Sequence, residues 1–522
     1  MSSKIPPSNP FSQGETFYQH YQKLAEFVRT RDREPPRILV ITDIEQDYDD
    51  LLAVIFLAEM HRMGAVQLVG FVANHHPAEE RAKFLRSVLH LLGLPDLPVG
   101  KGTRGAEDLV KHPWDFYYGL KNKTFREAAW NNNPFPNGST LIQQLATTSD
   151  TPLTLLLISS LQDIGEFFGK HEKHTFLNDK FAKFVSQGGY HVGQTEAGAV
   201  SIAPDEGMTN NTFNLHEAKT YTRVLASHKL PSDAWSREAA KAARLPASFM
   251  QQLFTLGPIG AHLQWLWLRQ EFKFYWDPYN WPFMPRLDPS WYLTTRLGLD
   301  KSSPRYAQLL KDPHLPFATA RQDIKVIAYD CCAAVGAVGD DFMRAFGVLA
   351  PEEDVPAYNR AAHQHRVFGK APADLGGIDA SRLAGVMEAF LLGGLKATAA
   401  HAAGRPGFEK GIEHTPVEAA YDLDVFLREM LPRMKVIEGQ KKTAKNCEDE
   451  AKKIAEKEGK SGAKYRELAK QAAEAKERAR KVERELAKVP GLEGRALPTR
   501  DQLPYEQLYQ RAMSQLGGKA KV

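Results

Sequence analysis

Apolar and polar positions alternate in blocks along the first 190 residues, and these blocks predict alternating strands and helices. Short apolar, β-branched runs are typical of buried parallel strands, whereas apolar residues spaced three or four apart indicate helices. The predicted strands are Arg37–Thr42, Val66–Val72, Leu97–Gly100, Pro152–Ile158 and Phe181–Gln187. The predicted helices are Glu15–Arg31, Leu51–Met63, Ala78–Leu92 and one that begins near Gln162. This alternation favours a doubly wound α/β fold, with a mostly parallel sheet flanked by helices.

The same pattern divides the chain into segments. Residues 1–36 form an N-terminal extension, and residues 37–350 form the predicted α/β domain, with less regular insertions at about 104–150 and 226–320. Residues 351–434 are predicted to be helical, and residues 435–522 form a charged helical tail. The insertions are rich in aromatic residues, among them Trp265, Trp267, Trp276, Trp281 and Trp291. These side chains could form the core of the insertion or a lid that stacks on a ligand. The core is the favoured alternative.

The charge balance separates the tail from the rest of the chain. The whole chain has 67 basic and 63 acidic residues. Between Lys435 and Lys488 there are 17 basic and 11 acidic side chains, so the remainder is nearly neutral. The tail also contains a heptad seam of small and apolar residues, Tyr465, Leu468, Ala472, Ala475, Ala479, Val482 and Leu486. A solvated surface helix is the first expectation, and a helix that pairs with a second copy or a partner protein is the alternative.

Composition excludes several classes of protein. A chain with 43% hydrophobic and 25% charged residues is globular and not disordered. A nearly neutral body does not favour binding to nucleic acid. Three cysteines are too few for a disulfide framework, and no apolar run near the start is long enough to span a membrane. We therefore expect a cytoplasmic protein without a membrane segment.

The most informative stretch is the acidic loop, Asp43–Asp50, which contains five carboxylates in eight residues directly after the first predicted strand. Ligands of open α/β sheets bind beyond the carboxyl ends of the strands. Like charges packed there raise one another's pKa unless a cation neutralises them, and carboxylate oxygens suit Ca²⁺ or Mg²⁺. One or two of these residues could simply cap the next helix, but five indicate a site for a metal or a substrate.

This loop resembles the signature of the inosine-uridine-preferring nucleoside hydrolases, Asp-x-Asp-x-x-x-Asp-Asp, with Glu45 in the place of the second Asp. Later segments are similar to further motifs of that family, in the same order, from about residue 37 to residue 345. These segments are Val69–Asn74, Leu155–Ile164, Val185–Gly189, Asn211–Asn214 and Val326–Ala334. The resemblance implies a nucleoside hydrolase-like domain, followed by a helical C-terminal extension outside it.

The resemblance also implies roles for individual residues. Asp50, Glu45 and Asp330 would bind a Ca²⁺ ion, with Mg²⁺ as the alternative, and Gln162 would add its backbone carbonyl. Glu45 or, failing that, Asp47 would be the base that activates water. Ribose hydroxyls would be bound by Asp49, Asn74, Asn211 and Asn214, although Asn74 and Asn214 could instead make local turn bonds. His75 and His76 would support the site or lie on the surface.

The sequence departs from the family pattern at three positions. Glu45 is one methylene longer than Asp, and Thr212 stands in the place of a glutamate that binds ribose. Tyr329 stands in the place of a histidine that helps to protonate the leaving base, and a phenol is a poorer acid.

Three functions are compatible with these features. The first is a Ca²⁺-dependent N-ribohydrolase that cleaves a nucleoside or a related N-ribosyl compound to free base and ribose. The second is a nucleoside hydrolase-like module, weakened in catalysis, that serves in binding or assembly. The third, a phosphoryl-transfer enzyme, is disfavoured because the chain has no Gly-x-x-x-x-Gly-Lys-Ser/Thr loop.

Overall fold

The computed structural model describes residues 6–45, 47–105, 124–125, 134–171, 175–194, 196, 200–280, 288–311, 323–402, 431–458 and 462–486. Its centre is a seven-stranded sheet in which every neighbouring pair of strands is parallel. The strands are β1 Arg37–Thr42, β2 Gln67–Ala73, β3 Val99–Lys101, β4 Leu153–Ile158, β5 Phe181–Gln187, β6 Tyr190–Gln194, β7 Val200–Pro204, β8 Ser232–Trp235, β9 Leu245–Pro246, β10 Lys325–Val326 and β11 His365–Phe368.

The strand order is β11-β8-β5-β4-β1-β2-β3. After β1 the chain adds β2 and β3 on one side of it, and later adds β4, β5, β8 and β11 on the other side. This reversal lies between β1 and β4, where doubly wound sheets have their ligand crevice. Two small antiparallel ribbons, β6-β7 and β9-β10, lie outside the central sheet. The predicted fold class is confirmed, with the five predicted strands as consecutive members of the sheet from β5 to β3.

Helices cover both faces of the sheet. Alternate residues of β1 point to opposite faces, with Ile38 and Val40 in one apolar core and Leu39 and Ile41 in the other. The longer α-helices are Tyr18–Thr30, Asp49–Arg62, Ala78–Leu91, Gly138–Thr148, Gln162–His171, Leu215–His228, Ala247–Phe254, Gly257–Asn280, Pro304–Lys311, Tyr329–Val338, Ala380–Ala402, Leu431–Glu458 and Ala463–Leu486. The shorter ones are Phe176–Lys180, Thr209–Phe213, Arg237–Ala242, Pro289–Trp291 and Asp340–Ala345, with a π-helix at Tyr292–Arg296 and a 3-10 turn at Ala357–Asn359.

Two sheet strands arise where the sequence predicts none. Strand β8 follows the start of the insertion at 226, and β11 lies in the segment expected to be helical. Each carries a buried charge, and Arg366 of β11 binds Asp233 of β8 through two hydrogen bonds of 2.7 Å. The expected helix in the same segment is present as Ala380–Ala402.

The helix Ala380–Ala402 is also, among the described residues, the one helix long and apolar enough to cross a membrane. Its most apolar window is 67% buried inside the protein, as is common for a core helix, so the helix is weak evidence for a membrane segment. It packs against the helix Asp49–Arg62 that follows the acidic loop.

The charged tail folds back on itself as two packed helices, Leu431–Glu458 and Ala463–Leu486. The middle of the predicted heptad seam is buried, at Ala472, Ala475 and Ala479. Small residues of the preceding helix are buried as well, and Lys476 forms an ion pair of 2.5 Å with Glu448 across the hairpin. This part of the seam therefore packs within its own chain.

The side chains of two tryptophans of the insertion are described, Trp267 and Trp291. Trp267 is buried in the same apolar core as Ile38 and Val40 of β1, and Trp291 packs edge-to-face on Phe274. The side chains of Trp265, Trp276 and Trp281 lie outside the described part of the chain.

A candidate metal centre at the carboxyl edge of the sheet

Four aspartates converge at the carboxyl end of β1. Asp47 lies in the acidic loop, and Asp49 and Asp50 begin the helix Asp49–Arg62. Asp330 lies in the first turn of the helix Tyr329–Val338, 280 residues further along the chain. One carboxylate oxygen from each of the four lies within 4.8 Å of the others. The structure thus brings together four of the acidic residues that the sequence singles out.

The two helices that carry three of these aspartates pack against each other with their N-termini at the site. A helix N-terminus carries a partial positive charge, which stabilises nearby carboxylates. The segment Val326–Ala334 resembles a late strand of the family, but here only Lys325–Val326 is a strand, β10, which pairs with β9 outside the central sheet. Asp330 is held instead by the start of a buried helix.

Burial and mutual repulsion disfavour ionisation of these carboxyl groups. Burial raises the pKa of Asp49, and the neighbouring charge of Asp47 raises it further. The pKa of Asp50 is raised by burial and then by Asp43, and that of Asp330 by burial and then by Asp49. Without a counter-charge, folding therefore drives protons onto the cluster.

Arg81 is a functional side chain that the sequence analysis missed. It is buried beneath the acidic loop and donates hydrogen bonds to the backbone oxygens of Asp43 at 2.7 Å, Ile44 at 2.8 Å and His76 at 3.1 Å. Burial raises the pKa of Asp43 to about 7, although the charge of Arg81 opposes this shift. Arg81 lies in the first turn of the helix Ala78–Leu91, and its local sequence does not indicate this contact, since Asp43 lies 38 residues earlier.

Glu45 points away from the four aspartates. Its backbone is in the left-handed region, with φ of 73°, and its carboxylate lies 2.5 Å from Nε2 of His262. Both side chains are buried, and the His262 ring contacts the rings of Phe84 and Phe125. Glu45 is thus not a member of the cluster, and its roles as ligand and base stay predictions.

Tyr48 fixes the acidic loop to the segment that leads into Asp330. Its hydroxyl donates to the carbonyl oxygen of Ile327 at 3.0 Å and accepts from the Ile327 N–H at 3.1 Å. The same oxygen accepts from Arg296 at 3.1 Å, and Arg296 also forms an ion pair with buried Glu271. Tyr48 therefore connects the acidic loop, the π-helix and the start of the Asp330 helix.

Asn74 and Gln162 lie in polar contacts beside the cluster. The Asn74 amide donates to Asp163 at 2.8 Å and to the carbonyl oxygen of Ser160 at 3.0 Å, and it accepts from Ser159. The Gln162 side chain donates to Glu166 at 2.8 Å, and Gln162 begins a helix at the end of β4. Asn74 is fully buried and its amide binds groups at the strand ends, and its role in binding ribose stays a prediction.

The segment predicted to bind ribose is a helical turn followed by a longer helix. The Asn211 amide donates to the carbonyl oxygens of Gly189 and Asp205, and Asn214 caps the helix Leu215–His228. Thr212 bonds back to its own turn, at Thr209. The His75 ring lies 4.6 Å from that of Phe213, so this turn contacts the end of β2.

Tyr329 precedes Asp330 and lies next to the cluster. Burial raises the pKa of Tyr329 to about 12, with opposing effects from Arg296 and from Asp49. The phenol therefore keeps its proton at neutral pH and can act as a hydrogen-bond donor.

The four aspartates fit a hard divalent cation. Oxygen atoms within 4.8 Å of one another can all contact one ion at the 2.3–2.6 Å typical of Ca²⁺. The site has no cysteine ligand, and its burial leaves the carboxylates dependent on a positive charge. The donor set therefore favours Ca²⁺ or Mg²⁺ over zinc.

Comparison with solved structures relates this geometry to known proteins. The type III effector protein XopQ, solved in complex with adenosine diphosphate ribose, matches 72% of this chain and 99% of its own, with 19% identity and a TM-score of 0.57. The effector protein XOO4466 matches the same shares at 19% identity, with a TM-score of 0.56. The purine-preferring ribonucleoside hydrolase from Gardnerella vaginalis matches 69% of this chain and 99% of its own, at 14% identity and a TM-score of 0.41.

The fold is nucleoside hydrolase-like. Nucleoside hydrolases are among the matching structures, as the motifs predict. The similarity of folds is established by the two effectors, because their TM-scores are above 0.5. No protein-family model and no curated protein matches this chain.

Proposed function

We propose that the protein is a Ca²⁺-dependent N-ribohydrolase that cleaves an N-ribosyl compound to free base and ribose. The observation that supports it is the convergence of Asp47, Asp49, Asp50 and Asp330 in the crevice where the sheet reverses direction. Cleavage of an N-glycosidic bond passes through a sugar with positive charge near C1′, and a cluster of carboxylates stabilises such a charge.

The unpaired cysteines Cys331, Cys332 and Cys447 suit a cytoplasmic location, which we also propose.

The cluster would hold the ion through the carboxylates of its four aspartates. A bound divalent cation supplies a more acidic water and orients a ribose diol. Asp47 is half-buried, whereas the other three are buried, so it is the member best placed to exchange a proton with solvent. We assign Asp47 as the base that takes the proton from the attacking water.

Leaving-group departure requires a donor on the other side of the glycosidic bond. Tyr329 keeps its proton at neutral pH, so it would donate a hydrogen bond to the departing base. Because its pKa is about 12, complete proton transfer from it is unfavourable. A base that leaves readily, or one protonated by solvent, is the substrate that this site would handle best.

The decisive experiment measures free ribose. The full chain would be given Ca²⁺ and a panel of nucleosides. In a parallel assay of free adenine it would be given adenosine diphosphate ribose, the compound bound by XopQ, because cleavage of that compound leaves its ribose attached to the diphosphate. We expect release that stops when Ca²⁺ is chelated and returns when it is added back. Asp50→Asn should lower the rate by at least about 10–100-fold, the range seen for groups that merely support metal ligands.

The matched control is Asp341→Asn, which makes the same change at an exposed aspartate in the first turn of another helix. Its activity should equal that of the unchanged protein. If the chain binds Ca²⁺ but releases ribose from no compound, the hydrolase proposal fails and a binding module is favoured.

A further inference from the structure

Arg244 is a half-buried cation near the candidate site that lacks a carboxylate partner. It forms no ion pair or hydrogen bond with a described residue, and its Nε atom is buried without a hydrogen-bond partner. Burial lowers its pKa, and of the nearby charges Arg296 lowers it further while Tyr329 and Glu238 raise it. A guanidinium in such a place gains free energy from an anion that supplies the missing acceptors.

Backbone pairing places Arg244 beside the cluster. In the antiparallel β9-β10 ribbon Leu245 lies opposite Val326, so Arg244 continues the register opposite Ile327, two residues before Tyr329. The guanidinium reaches the turn after the π-helix, where a Cβ added at Gly298 would lie 3.0 Å from Nη1. Glycine at this turn leaves room for the arginine head group.

Arg296, carried on that π-helix, provides the contrast. It is buried, but Glu271 neutralises it and the Tyr48 hydroxyl accepts one of its hydrogen bonds. Arg244 has neither kind of partner.

We propose that Arg244 binds a phosphate group of the substrate. This inference rests on the proposed function and specifies its substrate class as a phosphorylated N-ribosyl compound, such as a nucleoside 5′-monophosphate. With C1′ and the ribose diol at the carboxylates, the 5′-oxygen is the position from which a phosphate can reach out of the cluster. Arginine suits this task because its planar fork donates two hydrogen bonds to phosphate oxygens.

A neutral nucleoside would leave the Arg244 charge without a counter-charge, whereas a phosphate would provide one. A divalent cation offsets part of the negative charge of the carboxylate cluster and so weakens its repulsion of the phosphate. Discrimination between the two kinds of substrate would therefore depend on Arg244, while the chemistry would depend on the cluster.

The experiment compares inosine with inosine 5′-monophosphate, by kcat/KM for ribose or ribose-phosphate release and by calorimetric binding. We expect the unchanged protein to prefer the monophosphate, and Arg244→Met to lower kcat/KM for the monophosphate by about 10–100-fold. The kcat/KM for inosine should change by less than about twofold, because inosine has no phosphate group for Arg244 to bind. Arg244→Lys should restore part of the preference. Arg237→Met, at an exposed arginine paired with Glu238, is the control and should leave both values unchanged.

The outcomes separate this inference from the proposed function. If both compounds are cleaved without preference, or if Arg244→Met lowers both rates equally, Arg244 is not a phosphate-binding residue even though the hydrolase stands. If neither compound is cleaved but the monophosphate binds more tightly and Arg244→Met removes the difference, the phosphate contact stands and the hydrolase fails. Equal binding of the two compounds to the unchanged protein overturns the inference in either case.

Discussion

The Tyr48 hydroxyl is the point at which three separate parts of the chain meet, and this makes it a sensitive residue for mutation. Tyr48→Phe would remove the acceptor for the Ile327 N–H and one acceptor for buried Arg296. Buried donors left without partners cost about 1–3 kcal/mol, so we expect a loss of stability of that size. Chemical denaturation of the two proteins measures it.

Tyr18→Phe provides the matched control. Tyr18 begins the first helix, and its hydroxyl makes no hydrogen bond with a described residue, so the same change should alter stability by less than about 0.5 kcal/mol. An equal effect of the two substitutions would show that the Tyr48 network does not stabilise the protein.

At the scale of single residues, the sequence predicted the acidic cluster better than the contacts around it. Asp50 and Asp330 were expected at one metal site, and both lie in the cluster. Glu45 was expected there too, but its partner His262 lies 217 residues later, in an insertion that no motif describes. Arg81 and Tyr48 were missed for the same reason, because their contacts depend on packing between segments distant in sequence.

Among the elements, the helix Tyr329–Val338 depends on a close approach to the sheet. A Cβ added at Gly336 would lie only 2.3 Å from Nε1 of Trp235, so Gly336→Ala must shift the helix or the indole. Because Asp330 begins the same helix, the shift would also move a member of the cluster. We expect a loss of about 1–3 kcal/mol in stability and weaker Ca²⁺ binding, measured by denaturation and calorimetry.

Gly385→Ala tests whether this effect comes from the contact and not from the substitution itself. Gly385 also lies inside a helix, but a Cβ there would have nothing within 4 Å. Alanine favours helix by roughly 0.5–1 kcal/mol relative to glycine, so this variant should be equal or more stable and should bind Ca²⁺ normally. Similar losses in both variants would contradict the role given to Gly336.

The predicted elements were most accurate where burial on both faces dominates. The bounds of β1 and β5 agree with the structure, because a strand in the middle of a parallel sheet is apolar on both sides. Strands β8 and β11 are four residues long and contain Asp233 and Arg366. These two charges bind each other, and Lys183 and Asp340 add further ion pairs to them. The partners lie far apart in sequence, so the local pattern of apolar and polar residues does not reveal them.

For the molecule as a whole, the cluster joins the start of the sheet to a helix 280 residues later. A cation bound there would hold these two parts together and would stabilise the folded chain by about 2.7 kcal/mol at a concentration of 100 times its Kd.

The dependence of this stabilisation on pH follows from the pKa shifts in the cluster. The pKa values of Asp49, Asp50 and Asp330 are raised in the folded protein, and that of Asp43 is raised to about 7. A carboxyl group with a raised pKa binds its proton more tightly when folded, so its stabilising contribution is complete at low pH and is lost as pH rises through the folded value. Without Ca²⁺, the cluster therefore favours folding at pH 5 more than at pH 8.

Calcium must displace those protons, so it should raise the Tm more at pH 8 than at pH 5. The comparison uses the difference in Tm with and without Ca²⁺ at each pH, which cancels the titration of groups far from the site. Asp330→Asn should reduce the increment at pH 8 to near that at pH 5, whereas Asp341→Asn should leave it unchanged. An increment that is the same at both pH values in the unchanged protein would contradict binding of the ion by ionised carboxylates at this site.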